Sequence, residues 1–390
     1  MMDRPVYFDY NATTPLAPEV LDVFVSVLRE TYGNASSIHR PGQAARQLLE
    51  QGRRQVAALL CCDPKEIVFV SGGTEGDNLA LFGTVRRARN GGRHVITTAI
   101  EHPAILSACA QLEREGVEVT YARVGAGGVV DPDEIRCALR PETTLISVMH
   151  ANNEVGTVQP VAEIAKIARE AGVAMHSDGV QAAGKIAIDV RALGVDLYTI
   201  SAHKICAPKG IGALYVGRGM KIEPQLHGGR HERERRAGTE NVPAAAAFGR
   251  AAGWIRENLD TETARLAALR DRLEQGILAR VPSVTVNGSG APRVPNTTNL
   301  CFDGIEGEAM VIALDLKGFA VSTGAACSSG AVEPSHVLTA MGLAPEKARA
   351  SIRFSLGRQN TPEQVDALIE AVAETADRLR KLSPTYTVHA

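Results

Sequence analysis

Between about residues 66 and 216 the chain alternates short apolar runs with segments of helical periodicity. The runs lie at 67–70, 94–97, 117–120, 144–149, 173–175, 197–200 and 213–216. Residues 160–171 typify the intervening segments. Val161, Ile164, Ala165 and Ala168 recur on one helical face, Pro160 stands near the first turn and Gly172 ends the pattern. This alternation predicts an α/β fold, with a mostly parallel seven-stranded sheet covered by helices on both faces. The link from 201 to 211 is too short for a crossover helix, so the last strand is expected to run antiparallel to its predecessor. Beyond about residue 243 the pattern changes. A long helical stretch, expected to break or bend near 260, runs to Arg280. Short strands then alternate with helices up to a final amphipathic helix carrying Val365, Leu368, Ile369, Val372, Ala376 and Leu379 on one face. The expected division is a large domain over 15–258 and a smaller α+β domain over 259–390, with residues 1–14 folding back onto it.

Composition narrows the function. A chain of 390 residues that is 45% hydrophobic has ample material for two cores. A net charge of −2 gives no electrostatic case for nucleic acid or an anionic membrane. No apolar run approaches the roughly 18 residues of a membrane span. The first residues show neither a signal core nor transit-peptide character, so a cytoplasmic protein is expected. Seven scattered cysteines without a Cys-x-x-Cys pair argue against a disulfide framework or a zinc knuckle. Cys109 and Cys137, inside helical patterns, are expected to be buried filler.

In an open parallel sheet, ligands bind beyond the carboxyl ends of the strands. Five of the runs deliver polar residues there. Ser71-Gly-Gly-Thr-Glu-Gly-Asp-Asn78 opens a helix; its free amides and Thr74 suit a phosphate, although plain N-capping also fits. His102 precedes a proline and is held extended, facing a ligand ring or simply a loop. The others end in His150-Ala-Asn-Asn-Glu154, His176-Ser-Asp178-Gly-Val-Gln181 and Ser201-Ala-His203-Lys204. A lysine at the end of a buried strand loses its proton readily and becomes nucleophilic. With Asp178 to protonate a ring nitrogen, Lys204 forms the pairing that pyridoxal phosphate requires. From these two residues alone, a surface lysine and a helix-capping aspartate are the better fit.

Two further stretches stand out. Cys327 sits in Ser322-Thr-Gly-Ala-Ala-Cys-Ser-Ser-Gly-Ala331, a run without bulky side chains. Such a cysteine is expected to be a travelling nucleophile in an exposed loop. The segment 227–241 mixes charges densely, as a solvated loop does. His227 and His231 lack a third ligand, so no metal is expected.

Jointly these motifs resemble the cysteine desulfurases of the NifS/IscS class, fold-type I pyridoxal-phosphate enzymes of the class-V aminotransferase family. The resemblance spans essentially the whole chain. It includes Tyr10-Asn-Ala-Thr-Thr-Pro15, Gly33-Asn-Ala-Ser-Ser-Ile-His39, Glu101-His-Pro103, Met149-His-Ala-Asn-Asn-Glu154 and Ser201-Ala-His-Lys204. Arg236-Ala-Gly-Thr-Glu-Asn241, Glu333-Pro-Ser-His336 and Ser351-Ile-Arg-Phe-Ser-Leu356 complete it. The 236–241 wording and the Cys327 loop look closer to the nitrogen-fixation branch than to the housekeeping branch.

The resemblance implies roles. Lys204 would carry pyridoxal 5'-phosphate as a Schiff base and act as base at the substrate Cα. His102 would stack on the ring and shuttle protons. Asp178 would pair with the ring nitrogen and Gln181 with the ring hydroxyl. Thr74, Ser201 and His203 would bind the phosphate, and Thr239 would reach the phosphate of the other subunit of a homodimer. Asn153 and Arg353 would hold the carboxylate of L-cysteine, and Cys327 would take its sulfur for delivery to an iron–sulfur scaffold. Gly76 and Gly179 depart from the family, which usually has serine and alanine there. A selenocysteine lyase or another pyridoxal-phosphate enzyme of this fold is the alternative.

Overall fold

The computed structural model describes residues 5–88, 93–323 and 333–382. Its strands are β1 (Val6–Tyr7), β2 (Ile67–Val70), β3 (His94–Thr98), β4 (Glu118–Ala122), β5 (Thr143–Ser147), β6 (Ala174–Asp178), β7 (Leu197–Ser201) and β8 (Gly212–Val216). Four more follow: β9 (Val284–Val286), β10 (Thr297–Phe302), β11 (Phe319–Ala320) and β12 (Ser351–Ser355).

Seven strands form one sheet in the order β2-β8-β7-β6-β5-β3-β4. All pairings are parallel except those of β8, which runs antiparallel to both β7 and β2. As expected, the 201–211 link has no room for an α-helix; it holds one 3-10 turn, Ala202–Lys204. Because β8 reverses direction twice over, β2 points the same way as β7. The carboxyl ends of β2, β3, β5, β6 and β7 therefore share one edge, and this edge receives the polar motifs.

Successive strand residues serve opposite faces. Ile67, Phe69, Ile96, Ile146 and Ile200 enter one hydrophobic core, whereas Val68, Val70, Val95, Leu145 and Leu197 enter another. Both faces are covered, which is why these runs are continuously apolar. A separate core gathers Phe8, Leu273, Phe302, Phe354, Leu368 and Val372. The N-terminal segment joins it: β1 pairs in parallel with β11, and Phe8 is fully buried.

The expected break near 260 is absent. Val242–Arg280 is one helix of 39 residues, capped by the Asn241 side chain. Ala244 to Ile255 pack into the first core and Leu266 to Ile277 into the separate one. The polar stretch between them marks the passage from one core to the other; it contains no glycine or proline that would stop a helix. The final helix, Pro362–Leu382, buries the predicted face, with Leu379 partly covered. Cys109 is buried but Cys137 is exposed, contrary to expectation. In the short Pro132–Ala138 helix the inward position belongs to Ile135. Two residues further on, about 200° around the axis, the side chain points outward.

The two departures from the family wording have one cause. Added at Gly179, a Cβ would lie 2.0 Å from Tyr198 Cε1; at Gly76 it would lie 2.7 Å from Thr199 Cγ2. Adjacent β7 side chains thus occupy the space that alanine or serine would need. Gly179→Ala is expected to cost about 1–3 kcal/mol by overpacking, seen as a lower denaturant midpoint at unchanged m-value.

Candidate functional site

A cavity of about 390 Å³ opens at the shared strand edge, lined by Thr13, Gly72, Gly73, Thr74, Ser201 and His203 among others. The Gly73–Arg87 helix starts here, and no side chain caps its first amides. Gly72 leaves the approach bare: a Cβ there would face Ser201 Oγ at 4.0 Å. That hydroxyl is buried and has no hydrogen-bond partner among the described residues. His203 Nδ1 lies 3.1 Å from Thr13 Oγ1. Burial, and then Lys204, pull its pKa down to about 4, so its imidazole is neutral at pH 7. Uncapped amides, an orphan hydroxyl and a neutral imidazole are the donor set of an oxyanion site at a helix start.

Asp178 ends β6 rather than following it, because the strand extends to it from Ala174. It is 6% exposed, and its Oδ1 accepts from the Val180 amide at 2.9 Å. Burial raises its pKa; His102, the Val180 amide and Lys204 oppose that rise. His102 caps the Pro103–Arg114 helix, its Nδ1 accepting from the Ala104 amide at 3.1 Å. This bond leaves the proton of the neutral ring on Nε2. The ring has an accessible face but is walled by protein, and burial lowers its pKa. Two more buried acids stand nearby, Asp77 and Glu101. Burial raises both, Glu101 to about 8, and Asp178 adds to each rise. Such a cluster of buried carboxyls favours a cation beside Asp178.

Lys204 ends the 3-10 turn after β7. Its Nζ donates to the carbonyls of Asn11 at 2.5 Å and Ala12 at 2.7 Å. Burial, and then the Arg353 guanidinium, pull its pKa from 10.5 to about 8, against the opposing pull of Asp178 and Asp9. Gln181 donates through Nε2 to the Asn11 carbonyl at 2.9 Å. Arg353 lies in β12 and is 4% exposed. Its NH2 meets Asp9 Oδ1 at 2.6 Å and its NH1 the Asn153 carbonyl at 3.0 Å, while Nε has no partner among the described residues. The fork expected to hold a substrate carboxylate is thus partly engaged by Asp9, a residue that the sequence reading passed over.

Thr74, Ser201 and His203 therefore share one cavity. His102, Asp178 and Lys204 act on one another electrostatically; Gln181, Lys204 and Asn153 meet at Asn11, and Arg353 joins them through the Asn153 carbonyl. Thr239 is exposed and does not line the cavity. Cys327 lies outside the described residues. Among the described residues no three His, Cys, Asp or Glu side chains are arranged so that they could hold a metal ion, and no helix is long and apolar enough to cross a membrane.

The 227–241 segment is more than a solvated loop. Glu232, held at φ 45°, is buried against Arg53, with Arg53 NH1 to Oε2 at 2.6 Å and NH2 to Oε1 at 2.8 Å. Its Oε2 also accepts from the Phe69 amide in β2. Arg236 then reaches Glu75 in the first turn of the Gly73–Arg87 helix, at 2.8 Å. No local signal distinguishes Glu232 from its charged neighbours; only the fold brings Arg53 to it.

With this geometry in place, the comparisons with known proteins decide the family. The aminotransferase class-V model matches residues 6–368. The chain belongs to that family. It is 49% identical to "Cysteine desulfurase" of Trichormus azollae, over 97% of this chain and 94% of that protein. It is 46% identical to "Cysteine desulfurase IscS" of Methanosarcina thermophila, over 98% of this chain and 94% of that one. A solved "NIFS-LIKE PROTEIN" superposes with a TM-score of 0.89 at 36% identity, covering 96% of this chain and all of that one. The NifS-like protein of Rickettsia africae gives 0.86 at 35%, covering 96% and 100%. The fold is that of the fold-type I enzymes, and the cofactor of the family is pyridoxal 5'-phosphate.

Two outcomes are expected. In the cofactor-free protein, aldehyde capture at Lys204 should rise with pH around an inflection near 8, since only the neutral amine reacts; mass spectrometry should find this adduct missing in Lys204→Ala. Glu232→Ala leaves the buried Arg53 charge with only the partly exposed Glu50, 3.1 Å from its Nε. It should cost up to about 3 kcal/mol in chemical denaturation, with Glu232→Gln intermediate.

Proposed function

We infer that this chain is a pyridoxal-phosphate-dependent cysteine desulfurase, converting L-cysteine to L-alanine and passing the sulfur to Cys327. The observation that carries the reading is the pairing at the sheet edge: Lys204, with its pKa depressed to about 8 by burial, beside buried Asp178. It occurs in a chain 46–49% identical to cysteine desulfurases over nearly its full length.

When bound, the cofactor supplies an electrophilic carbonyl for the substrate amine and an electron sink that acidifies the Cα–H. The chain's own groups do the rest. Asp178 holds a proton at the ring nitrogen; a cation there restores the ionised carboxylate that burial disfavours. The bare amides at Gly73, with Thr74, Ser201 and His203, bind the phosphate. Gln181 would donate to the ring oxygen of the cofactor, and His102, with its proton on Nε2, would lie against the ring and carry protons. Near pH 8 Lys204 is poised between its two protonation states, so it can take the Cα proton and return it. Arg353 and Asn153 orient the substrate carboxylate, the guanidinium offering its free Nε.

The thiolate of Cys327 attacks the substrate sulfur. An S–S bond forms on the enzyme as the substrate C–S bond breaks, and the electron pair of that bond stays on the substrate carbon. Protonation of that carbon yields alanine, and the persulfide is the cargo for iron–sulfur assembly. The outward position of Thr239, tied through Arg236 to the phosphate end, supports a homodimer in which it completes the partner's phosphate site. The separate cores support a large domain over 15–258 and a small one formed by 1–14 and 259–390. A cytoplasmic setting belongs to the same proposal; the net charge of −2 gives no attraction to an anionic membrane surface.

The purified holoenzyme, given L-cysteine and a thiol reductant, should release alanine and sulfide in equal amounts. Cys327→Ala should keep the cofactor absorbance band and lose sulfide release. Sulfide release at the wild-type rate from this variant would remove Cys327 as the nucleophile.

A further inference from the structure

Lys185 is a buried lysine that the proposed chemistry leaves unused. It stands in the turn after β6, four residues past Gln181, and is 6% exposed. It lines the same small cavity, about 60 Å³, as Lys204. No carboxylate meets it among the described residues. Its Nζ donates to Gln181 Oε1 at 2.5 Å and to Asn11 Oδ1 at 2.7 Å. Burial lowers its pKa well below 10.5, and the neighbouring Lys204 and Arg353 lower it further. A lysine kept in such surroundings is costly unless its hydrogen bonds are worth more than its charge.

Those bonds fix an orientation. A glutamine amide is nearly symmetric in shape and free to flip, so its neighbours decide which end faces where. Here Gln181 is held between a donor and an acceptor. Lys185 takes Oε1, and the Asn11 carbonyl takes one Nε2–H at 2.9 Å. A flipped amide would set oxygen against the Asn11 carbonyl. Asn11 cannot turn to accommodate that. Its Nδ2 donates to Asn153 O and Thr297 Oγ1, and its Oδ1 also accepts from Asn296. One Nε2–H of Gln181 is then left without a partner among the described residues, and it is a donor that cannot become an acceptor.

We propose that Lys185 is a positioning residue that locks the Gln181 amide with its free N–H available to an anionic ring oxygen of the cofactor. The proposal rests on the functional reading above. Lys185 touches neither substrate nor cofactor; it acts through Gln181. Donation to that oxygen stabilises its ionised form and so lowers the pH at which the bound cofactor titrates.

The test is the pH titration of the cofactor absorbance band in the holoenzyme, arranged as a double-mutant cycle. Lys185→Met should raise the apparent pKa by about one unit, the scale of one hydrogen bond to an ionised group. In the Gln181→Ala background the same change should add less than about a third of that. Lys185→Gln keeps a neutral donor on a side chain one atom shorter; its shift should be smaller than that of Lys185→Met. It also provides the comparison with wild type if the methionine variant loses cofactor. An equal shift with and without Gln181, or equal shifts for Met and Gln, would mean that Lys185 acts by its charge, and would overturn the clamp. So would a titration indifferent to Lys185. A wild-type protein that binds no cofactor would overturn the functional reading itself, and the clamp with it.

Discussion

Taking charge out of water at one edge of the sheet is the constraint from which the chemistry of this site follows. Asp77, Glu101 and Asp178 are all buried there, as is Lys185, with Lys204 half-buried beside them. Desolvation is the largest influence on every one of them. It raises the acids and lowers the amines. In water these side chains would all be fully ionised at pH 7 and chemically idle. Their burial makes the lysine a base near neutrality and leaves Asp178 short of a cation. The protonated ring nitrogen of the proposed cofactor pairing would meet that need, so that cofactor binding and pKa tuning would be two aspects of one desolvated cluster.

Asn11 shows how the two parts of the chain are joined across this cluster. Its carbonyl accepts from Lys204 and Gln181, and its side chain meets Lys185, Asn296 and Thr297. Its amide donates to Ser355 in β12. The N-terminal segment is therefore the seam between the sheet edge that carries the lysine and the strands that carry Arg353. Arg353 is bound to the same seam through Asp9 and the Asn153 carbonyl. The seam couples the geometry of Arg353 to that of Lys204 without direct contact between their charged heads.

Much of this was legible in the sequence. The seven apolar runs, the antiparallel last strand and the buried face of the final helix all emerge as the periodicity predicts. The motifs that converge at the sheet edge are there as well. The misreadings share a cause. Polar residues 256–265 look like a break, but a helix can cross polar ground between two cores without leaving its geometry. Cys137 looks like filler because helical periodicity in a seven-residue helix is too short to define a face. The Glu232 loop looks solvated because its partner, Arg53, is 179 positions away.

The sequence by itself determined where the chain is apolar, where it turns, and which candidate lysine, acid and hydroxyl residues follow which strand. Those are local properties, written in periodicity and in the residue types that reactions require. Only the tertiary structure decided the partnerships. Asp9 on Arg353, Lys185 on Gln181, Tyr198 against Gly179 and Asn11 beneath Lys204 join residues far apart in the chain or unremarkable in it. Their strength comes from exclusion of water and from fixed distances, and neither exists until the sheet has folded and the N-terminal segment lies across its edge.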